Sequence, residues 1–195
     1  MPVHVKVMSA LFQSVTTRTA GFNTIDQNSL TVPSKLLSQI MMFIGASPGG
    51  TGGGMKTTTV ALVFLMVLSV TQGHDNITIL RRRIPRGTAF RALAIVSIGL
   101  IVLLAITMII SVIETGNTTA DFTFENILFE VVSALGTVGL STGLTRHLSP
   151  VSRVFIIFTM FLGRLGPMTL TFALAKRLKK TNINYRYPEG KIMVG

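Results

Sequence analysis

Long apolar runs, rather than alternating apolar and polar positions, dominate this chain. Between Arg91 and Glu114 lie 22 uncharged residues, including the run AIVSIGLIVLLAITMIISVI, and a membrane-spanning helix needs about 20 apolar residues. A further 22 residues separate Arg153 from Lys176, with Arg164 as the one charge among them. The pattern therefore predicts an all-α integral membrane protein with spanning helices over these two runs.

A third apolar region runs from Leu36 to Val70 and has the stretch GASPGGTGGGMKTTT (45–59) at its centre. It is too long for one ordinary span, so it predicts two half-helices, 36–46 and 55–72, of one broken transmembrane helix. Pro48 is expected to end the first half because proline cannot continue a helix. Non-helical backbone is tolerated at membrane depth only where protein buries it or where it lines a water-filled cavity.

The glycine stretch approaches the phosphate-binding pattern G-x-x-x-x-G-K-[ST], which offers a nucleotide-binding alternative. Met55 separates Gly54 from Lys56, however, so the lysine is one residue out of place. The sequence predicts no buried strand before the loop, and the context therefore also disfavours nucleotide binding. Two roles stay open for Lys56: capping the loop or reaching the cytoplasmic side.

Two shorter segments, 8–17 and 122–136, are too short to cross a membrane and return, and each precedes a polar run that contains glycine. They predict re-entrant helices that enter from outside and turn back. The sequence around them repeats, since TAGFNT (19–24) matches TVGLST (137–142) and MFIG matches MFLG, both at an offset of 118. Each unit is therefore predicted to be a helix–pore-loop–helix repeat.

The glycine loops of the two units are predicted to form a cation selectivity filter. A re-entrant helix points the partial negative charge of its carboxyl end toward the membrane centre, and an extended return loop presents carbonyl oxygens that replace the hydration shell of the ion. Glycine suits the backbone angles of such a loop, and an ordinary extracellular turn is the alternative. The predicted filter residues are Thr19, Ala20, Gly21, Phe22 and Asn23 in the first loop and Thr137, Val138, Gly139, Leu140 and Ser141 in the second.

Charge and composition narrow the functional classes. Only 13% of the residues are charged, with a net charge of +11, whereas a soluble domain has about 25% charged residues. The basic residues cluster beside apolar segments, in 81–91 and 176–180, which favours cytoplasmic membrane flanks and a cytoplasmic carboxyl terminus over nucleic-acid binding. The chain has no cysteine, and no arrangement of residues suggests a catalytic nucleophile, an acid–base pair or a metal site. We therefore expect neither an enzyme nor a covalently bound cofactor.

Arg164 is the one charge within the last apolar run. A charge near the bilayer centre costs at least about 2.5 kcal/mol, so Arg164 is predicted to face a cavity or a partner group. It corresponds to Ala46 in the first unit, beside the glycine stretch. A structural pairing with Glu130 or with loop carbonyls is the alternative.

Four segments, SVTTRTAGFNTID, GASPGGTGGGMKTTT, SALGTVGLSTGLT and FLGRLGPMT, together resemble the Trk/Ktr/HKT superfamily of potassium transporters, and most closely its KtrB type. Members of this superfamily have four helix–pore-loop–helix repeats around one pore, with one filter glycine from each repeat. The resemblance implies that Gly21 belongs to the third loop and Gly139 to the fourth, and that the chain is the C-terminal half of such a transporter. It also implies potassium as the transported ion, with sodium as the alternative.

The resemblance implies roles for three further groups of residues. The glycine break would be an intramembrane gate beneath the filter, with a static kink as the alternative. Arg164 would line the pore below the filter, where it would hold the loop through backbone carbonyls or act as an electrostatic barrier. The protein would be a homodimer in a bacterial plasma membrane, in contact with the lipid bilayer and seated on a cytoplasmic nucleotide-binding ring of the KtrA/TrkA type. The predicted gate residues are Pro48, Gly49, Gly50, Thr51, Gly52, Gly53 and Gly54, and the predicted ring contacts are Arg81, Arg82 and Arg83.

The apolar segments and the resemblance together predict the domain organisation. Residues 1–72 are expected to be the third repeat without its first helix, 73–91 a basic cytoplasmic loop, 92–180 the fourth repeat and 181–195 a cytoplasmic tail. Two filter loops cannot ring an ion by themselves. A truncated, non-conducting membrane subunit with a structural or regulatory role is therefore an alternative function.

Overall fold

Within residues 2–49, 52–73, 77–79 and 82–165, which the computed structural model describes, helices carry almost all the regular structure. Short 3-10 turns occupy Gln27–Ser29 and Leu144–His147, and β1 (Thr78–Ile79) pairs antiparallel with β2 (Arg82–Arg83). The all-helical prediction therefore holds apart from this small hairpin in the predicted basic loop. The α-helices are α1 (Val3–Thr16), α2 (Val32–Ile44), α3 (Thr57–Thr71), α4 (Arg86–Ile113), α5 (Phe124–Gly136) and α6 (Pro150–Leu165).

Among the described residues, α4 is the helix that is long and apolar enough to cross a membrane. It has 28 residues, and Pro85 stands at its N-cap. A proline is tolerated at a helix start but not in its interior, so the helix begins at Arg86 rather than at the predicted residue 92. Arg86 and Arg91 therefore lie on the first two turns of α4, and both are exposed. The prediction of a long apolar helix is confirmed, and the predicted start was too late.

The third apolar region is broken, as predicted, but the break begins earlier than predicted. α2 ends at Ile44 because Gly45 has a φ of 68° and caps the helix, with its N–H donating to the Met41 carbonyl at 3.2 Å. The prediction that Pro48 ends this helix is therefore wrong. At the other end, the N–H of Thr57 donates to the Ala46 carbonyl at 3.2 Å and closes the non-helical segment where α3 begins.

α5 lies at the centre of the described fold and packs against α2, α4 and α6. Its Phe129 is fully buried beside Met42 of α2 and Ile110 of α4 in one apolar cluster. α6 approaches closely, since a side chain at Gly163 would overlap the carbonyl oxygen of Leu135. The packing therefore places the carboxyl end of α5, where the second predicted filter loop starts, deep inside the described structure.

The two sequence units share backbone geometry at corresponding positions. α2 begins at Val32 and α6 at Pro150, 118 residues later. Thr19 and Thr137, also 118 residues apart, are the non-glycine residues with positive φ in the described part of the chain, at 72° and 51°. A matching strained position in both units indicates that the sequence repeat is also a repeat of local structure.

Candidate functional site

The two predicted filter loops lie side by side. A side chain at Gly21 would overlap the carbonyl oxygen of Val138, and its Cβ would lie 3.5 Å from the Cα of Gly139. The side-chain amide of Asn23 donates to the Ser141 carbonyl at 3.2 Å. The structure thus brings together residues that are 118 positions apart in sequence, with the two glycines at the point of contact.

Each loop has a backbone shape that needs glycine at its centre. Gly21 has a φ of 74° and Gly139 a φ of 95°, values that residues with a Cβ adopt at a cost. The first loop is closed by the Thr16 hydroxyl, which donates to the Phe22 carbonyl at 3.0 Å and accepts from the Phe22 N–H at 2.9 Å. In the second loop the N–H of Val138 donates to a backbone carbonyl, that of Ser133 near the end of α5, at 2.9 Å.

The two loops differ in what surrounds their side chains. Val138 and Leu140 of the second loop are buried and belong to the apolar core. In the first loop Phe22 is 69% exposed and Ala20 is exposed. The first loop therefore presents one side to the second loop and leaves its other side uncovered by the described residues.

The glycine break, which is the segment 45–56 between α2 and α3, lies directly against both loops. A Cβ at Gly52 would lie 2.5 Å from the Thr19 hydroxyl, and a Cβ at Gly53 would overlap the Thr137 hydroxyl. The N–H of Gly53 donates to that Thr137 hydroxyl at 3.1 Å. Residues without side chains are thus required where the break passes the base of the loops.

The break is held by a small number of further polar contacts. The N–H of Gly54 donates to the Gly163 carbonyl of α6 at 3.3 Å, and the Lys56 ammonium donates to the Gly52 carbonyl. Lys56 therefore caps the loop, which is one of the two roles left open by the sequence. Pro48 and Gly49 are exposed, whereas Gly50 and Thr51 lie outside the described residues.

Arg18 connects the first loop to the break and was not among the site residues predicted from the sequence. Its guanidinium donates to the Gly45 carbonyl at 2.9 Å, at the residue that caps α2. The position one residue before a predicted filter loop was the available signal. A cation that holds the carbonyl of a helix C-cap satisfies a backbone group that the helix leaves without a partner.

Glu130 is a second polar residue whose environment the sequence did not reveal. It lies on α5 and is 5% exposed. Its carboxylate accepts hydrogen bonds from Ser141, Thr142 and Thr145, all in the segment that follows Gly139. It also lines a cavity of about 710 Å³ beside the second loop. The sequence had suggested this residue only as a partner for Arg164.

The predicted basic sites are described only in part. Arg164 lies exposed in the last turn of α6, next to the Gly163 carbonyl that accepts from the break. Arg83 is exposed on β2, while Arg81 and the side chain of Arg82 lie outside the described residues. The predicted end of the last span and the tail 181–195 also lie outside them.

The sequence comparisons connect this geometry to known proteins. Residues 1–186 match the TrkH family model, described as a cation transport protein. The chain belongs to the TrkH family. The predicted superfamily is therefore confirmed, and this is a family of membrane transporters rather than of enzymes.

Similar proteins include Potassium/sodium uptake protein NtpJ of Enterococcus hirae, 36% identical over 190 residues, and Ktr system potassium uptake protein B of Bacillus subtilis, 35% identical over 190 residues. Ktr system potassium uptake protein B of Vibrio alginolyticus is 34% identical over 188 residues. The alignments cover 96 or 97% of this chain but 39 to 42% of the relatives. This TrkH-family chain therefore spans about two fifths of the length of the curated relatives it matches.

Proposed function

We propose that the complete protein moves potassium ions across a bacterial plasma membrane and that this chain supplies two of its filter loops and its gate. The proposal is supported by the contact between three segments, the two loops and the glycine break. Gly21 and the backbone beside Gly139 are in contact, and Gly52 and Gly53 lie against the threonines that begin the two loops. A filter with a movable segment at its base requires this arrangement of small residues.

The chemistry of the loops suits a dehydrated monovalent cation. α1 and α5 both end at a loop, so the partial negative charges of their carboxyl ends point toward the same place. Backbone carbonyls of the loops would replace the hydration shell of the ion. Sodium permeability is the second candidate, favoured by the name of the relative NtpJ, a potassium/sodium uptake protein.

The glycine break would act as the gate. Among the described residues, segment 52–54 is joined to the second loop and to α6 by one hydrogen bond each, at Thr137 and Gly163, and one hydrogen bond contributes only about 1 kcal/mol net. The Lys56 ammonium also donates to the Gly52 carbonyl, from within the break itself. A movement that breaks the bonds to Thr137 and Gly163 is therefore within reach of a regulatory signal. Arg164, beside the Gly163 carbonyl, would hold the break in place or repel cations below the filter.

The proposed topology has re-entrant α1 and α5 on the outer side and the carboxyl terminus in the cytoplasm. The proposed assembly is a homodimer on a cytoplasmic nucleotide-binding ring, which Arg81, Arg82 and Arg83 contact. The names of the relatives, which are proteins of a Ktr system, support an assembly with further subunits, and the exposed position of Arg83 leaves it accessible to a partner.

Ion flux into proteoliposomes tests this function against a non-conducting structural role. The complete protein and a chain of residues 1–195 would be reconstituted separately, and potassium and sodium entry measured in each. We expect potassium entry with the complete protein and none with residues 1–195 alone, because two loops do not surround an ion. A complete protein that inserts normally and carries neither ion would contradict the proposal.

A further inference from the structure

The carboxylate of Glu130 collects hydrogen bonds from one short segment. It accepts from the Ser141 hydroxyl, the Thr142 N–H, the Thr142 hydroxyl and the Thr145 hydroxyl at distances of 2.5 to 2.9 Å. A backbone N–H can only donate, and an ionised carboxylate can only accept, so the set is chemically matched. Glu130 therefore fixes the backbone and side chains that immediately follow Gly139.

Stabilising a helix with a buried carboxylate has a high cost in free energy. Removing a charge from water costs several kcal/mol unless well-placed donors offset the loss, and α5 already packs through apolar residues such as Ile127 and Phe129. Among the residues that the structure describes, the donors to Glu130 come from the loop segment and not from a neighbouring helix. The placement of this charge thus concerns the shape of the loop more than the packing of α5.

The bonds made by Glu130 continue to the other loop. Ser141 donates its hydroxyl to Glu130 at 2.8 Å, and its backbone carbonyl accepts from the Asn23 side chain at 3.2 Å. Asn23 lies two residues after Gly21. A displacement of Ser141 would therefore alter the alignment of both glycines.

The first unit uses a neutral pair at the corresponding positions. Gln13 matches Glu130 when LFQSV is aligned with LFEVV, and Gln27 lies 118 residues before Thr145. The side-chain amides of Gln13 and Gln27 bond reciprocally at 2.7 and 3.2 Å, and Gln27 is fully buried. Each loop is thus tied back to its preceding helix at the same point, by amides in the first unit and by a charge in the second.

We propose that Glu130 is the positioning residue of the second filter loop, holding Ser141 to Thr145 so that Gly139 and its neighbours keep the geometry that discriminates between cations. The proposal rests on the proposed filter function. Glu130 acts through the loop rather than by binding the ion. Its loss should therefore change the relative affinity for two ions more than the amount of inserted protein.

The test compares Glu130→Gln with Glu125→Gln in the complete protein. Glutamine keeps the size of the side chain but replaces one accepting oxygen with a donor that faces other donors. Glu125 is a matched control on the first turn of the same helix, and one of its oxygens is buried without a hydrogen-bond partner among the described residues. The measurements are the KM values for potassium and sodium uptake and the quantity of protein in the membrane.

We expect Glu130→Gln to lower the ratio of the sodium KM to the potassium KM about tenfold, the factor that corresponds to the loss of one hydrogen bond to a charged group. Glu125→Gln should leave the ratio unchanged. The double variant Glu130→Gln with Thr145→Gln, which recreates the amide pair of the first unit, should recover most of the discrimination. A general loss of stability would not be repaired in this way.

If Glu130→Gln fails to insert, Thr145→Val provides the same test with one donor removed and the side-chain shape kept. We expect the KM ratio to fall about tenfold in that variant too, because it also loses one hydrogen bond to the Glu130 carboxylate. An unchanged ratio in the inserted variant, measured alongside a Gly139→Ser variant that does change it, would overturn the positioning role and leave the filter assignment standing. If Gly139→Ser also leaves the ratio unchanged, the proposed filter function fails and the positioning role fails with it.

Discussion

At the scale of single residues, the two central glycines are not equivalent. Both have positive φ, but a side chain at Gly21 would overlap the Val138 carbonyl, whereas a Cβ at Gly139 would meet nothing closer than 3.8 Å. Gly139→Ala therefore suffers backbone strain of about 1–2 kcal/mol, and Gly21→Ala suffers a collision as well. The positions are identical in the sequence repeat and are distinguished only by the structure.

We expect Gly21→Ala to reduce the quantity of folded protein in the membrane severalfold and Gly139→Ala to reduce it little. The measurement is the monodisperse fraction after mild detergent extraction of each variant. Equal yields of the two variants would contradict the close contact between the loops.

Glu114 gives a second prediction at the residue scale. Burial raises the pKa of this carboxyl, but hydrogen bonds from Ser152, Asn117 and Ser149 together lower the pKa by more than burial raises it. The net result is a pKa lowered from 4.5 to about 2. The carboxylate caps the start of α6 from the end of α4, at 2.7 Å from the Ser149 hydroxyl. Because the folded-state pKa is below that of the unfolded chain, the stabilisation is complete above pH 4.5 and is lost as the pH falls toward 2.

We expect Glu114→Gln to lower the free energy of unfolding by about 2 kcal/mol at pH 7, as for hydrogen bonds to a charged group. Near pH 2 the difference between the variant and the unmodified protein should disappear. Thermal unfolding in detergent across this pH range measures both quantities. A difference that stays constant from pH 7 to pH 2 would show that the charge of Glu114 contributes nothing.

At the scale of elements, the break between α2 and α3 is the proposed moving part. Segment 52–54 lies against the first residues of both loops, and one hydrogen bond each joins it to Thr137 and to Gly163 among the described residues. Its removal should open the space beneath the filter without removing any residue of α2 or α3. It would also release the contact with Thr137, so the filter itself must be checked at the same time.

We expect deletion of Gly49 to Gly54 in the complete protein to increase the potassium flux severalfold, because the obstruction is removed. Flux per inserted molecule is the quantity to compare, with the potassium-to-sodium ratio as the control for an intact filter. A properly inserted deletion variant whose flux is equal to or below that of the unmodified protein would rule out a gating role for the break.

The sequence predicted the presence of the helices more accurately than the residues at which they begin and end. The run between Arg91 and Glu114 is long enough to predict α4 by composition alone, but its start depends on Pro85 rather than on the last charge. The first half-helix ends at Gly45 and not at Pro48, because a positive-φ cap is a property of the folded backbone. Re-entrant paths for α1 and α5 stay predictions.

The polar contacts were the least predictable part. Glu130, Gln13 and Arg18 lie within segments that otherwise indicate apolar helices or loops, and their partners are 11 to 27 residues away in sequence. The repeat did reveal which loop positions correspond. It did not reveal that Gly52 and Gly53 lie against those loops, since that contact depends on how the break folds back on the base of the loops.

At the scale of the whole molecule, the basic segment 81–91 is the proposed contact with the nucleotide-binding ring. The hairpin of β1 and β2 precedes α4 directly, and Arg83 is exposed on it. Arginine binds carboxylates through paired hydrogen bonds that lysine does not reproduce.

We expect replacement of Arg81, Arg82 and Arg83 by alanine to abolish co-purification of the complete protein with a nucleotide-binding ring. Their replacement by lysine, which keeps the charge, serves as the control for membrane topology. Undiminished ring binding by the alanine variant would leave these arginines with a role in topology and lipid contact alone.

A comparison of Gly139→Ser with Gly116→Ser in the complete protein shows whether the adjacent glycine loops select the transported ion. Gly116 lies in the loop between α4 and α5 with a φ of 91°, close to the 95° of Gly139, and a side chain there would meet nothing within 4 Å. The two variants therefore have similar backbone strain but differ in their distance from the filter. The quantity to measure is the ratio of potassium to sodium uptake in cells that lack their own transporters. We expect a ratio about tenfold lower for Gly139→Ser, because the displaced carbonyls no longer match potassium, and an unchanged ratio for Gly116→Ser. An unchanged ratio for both variants would rule out the proposed role of these loops as an ion filter.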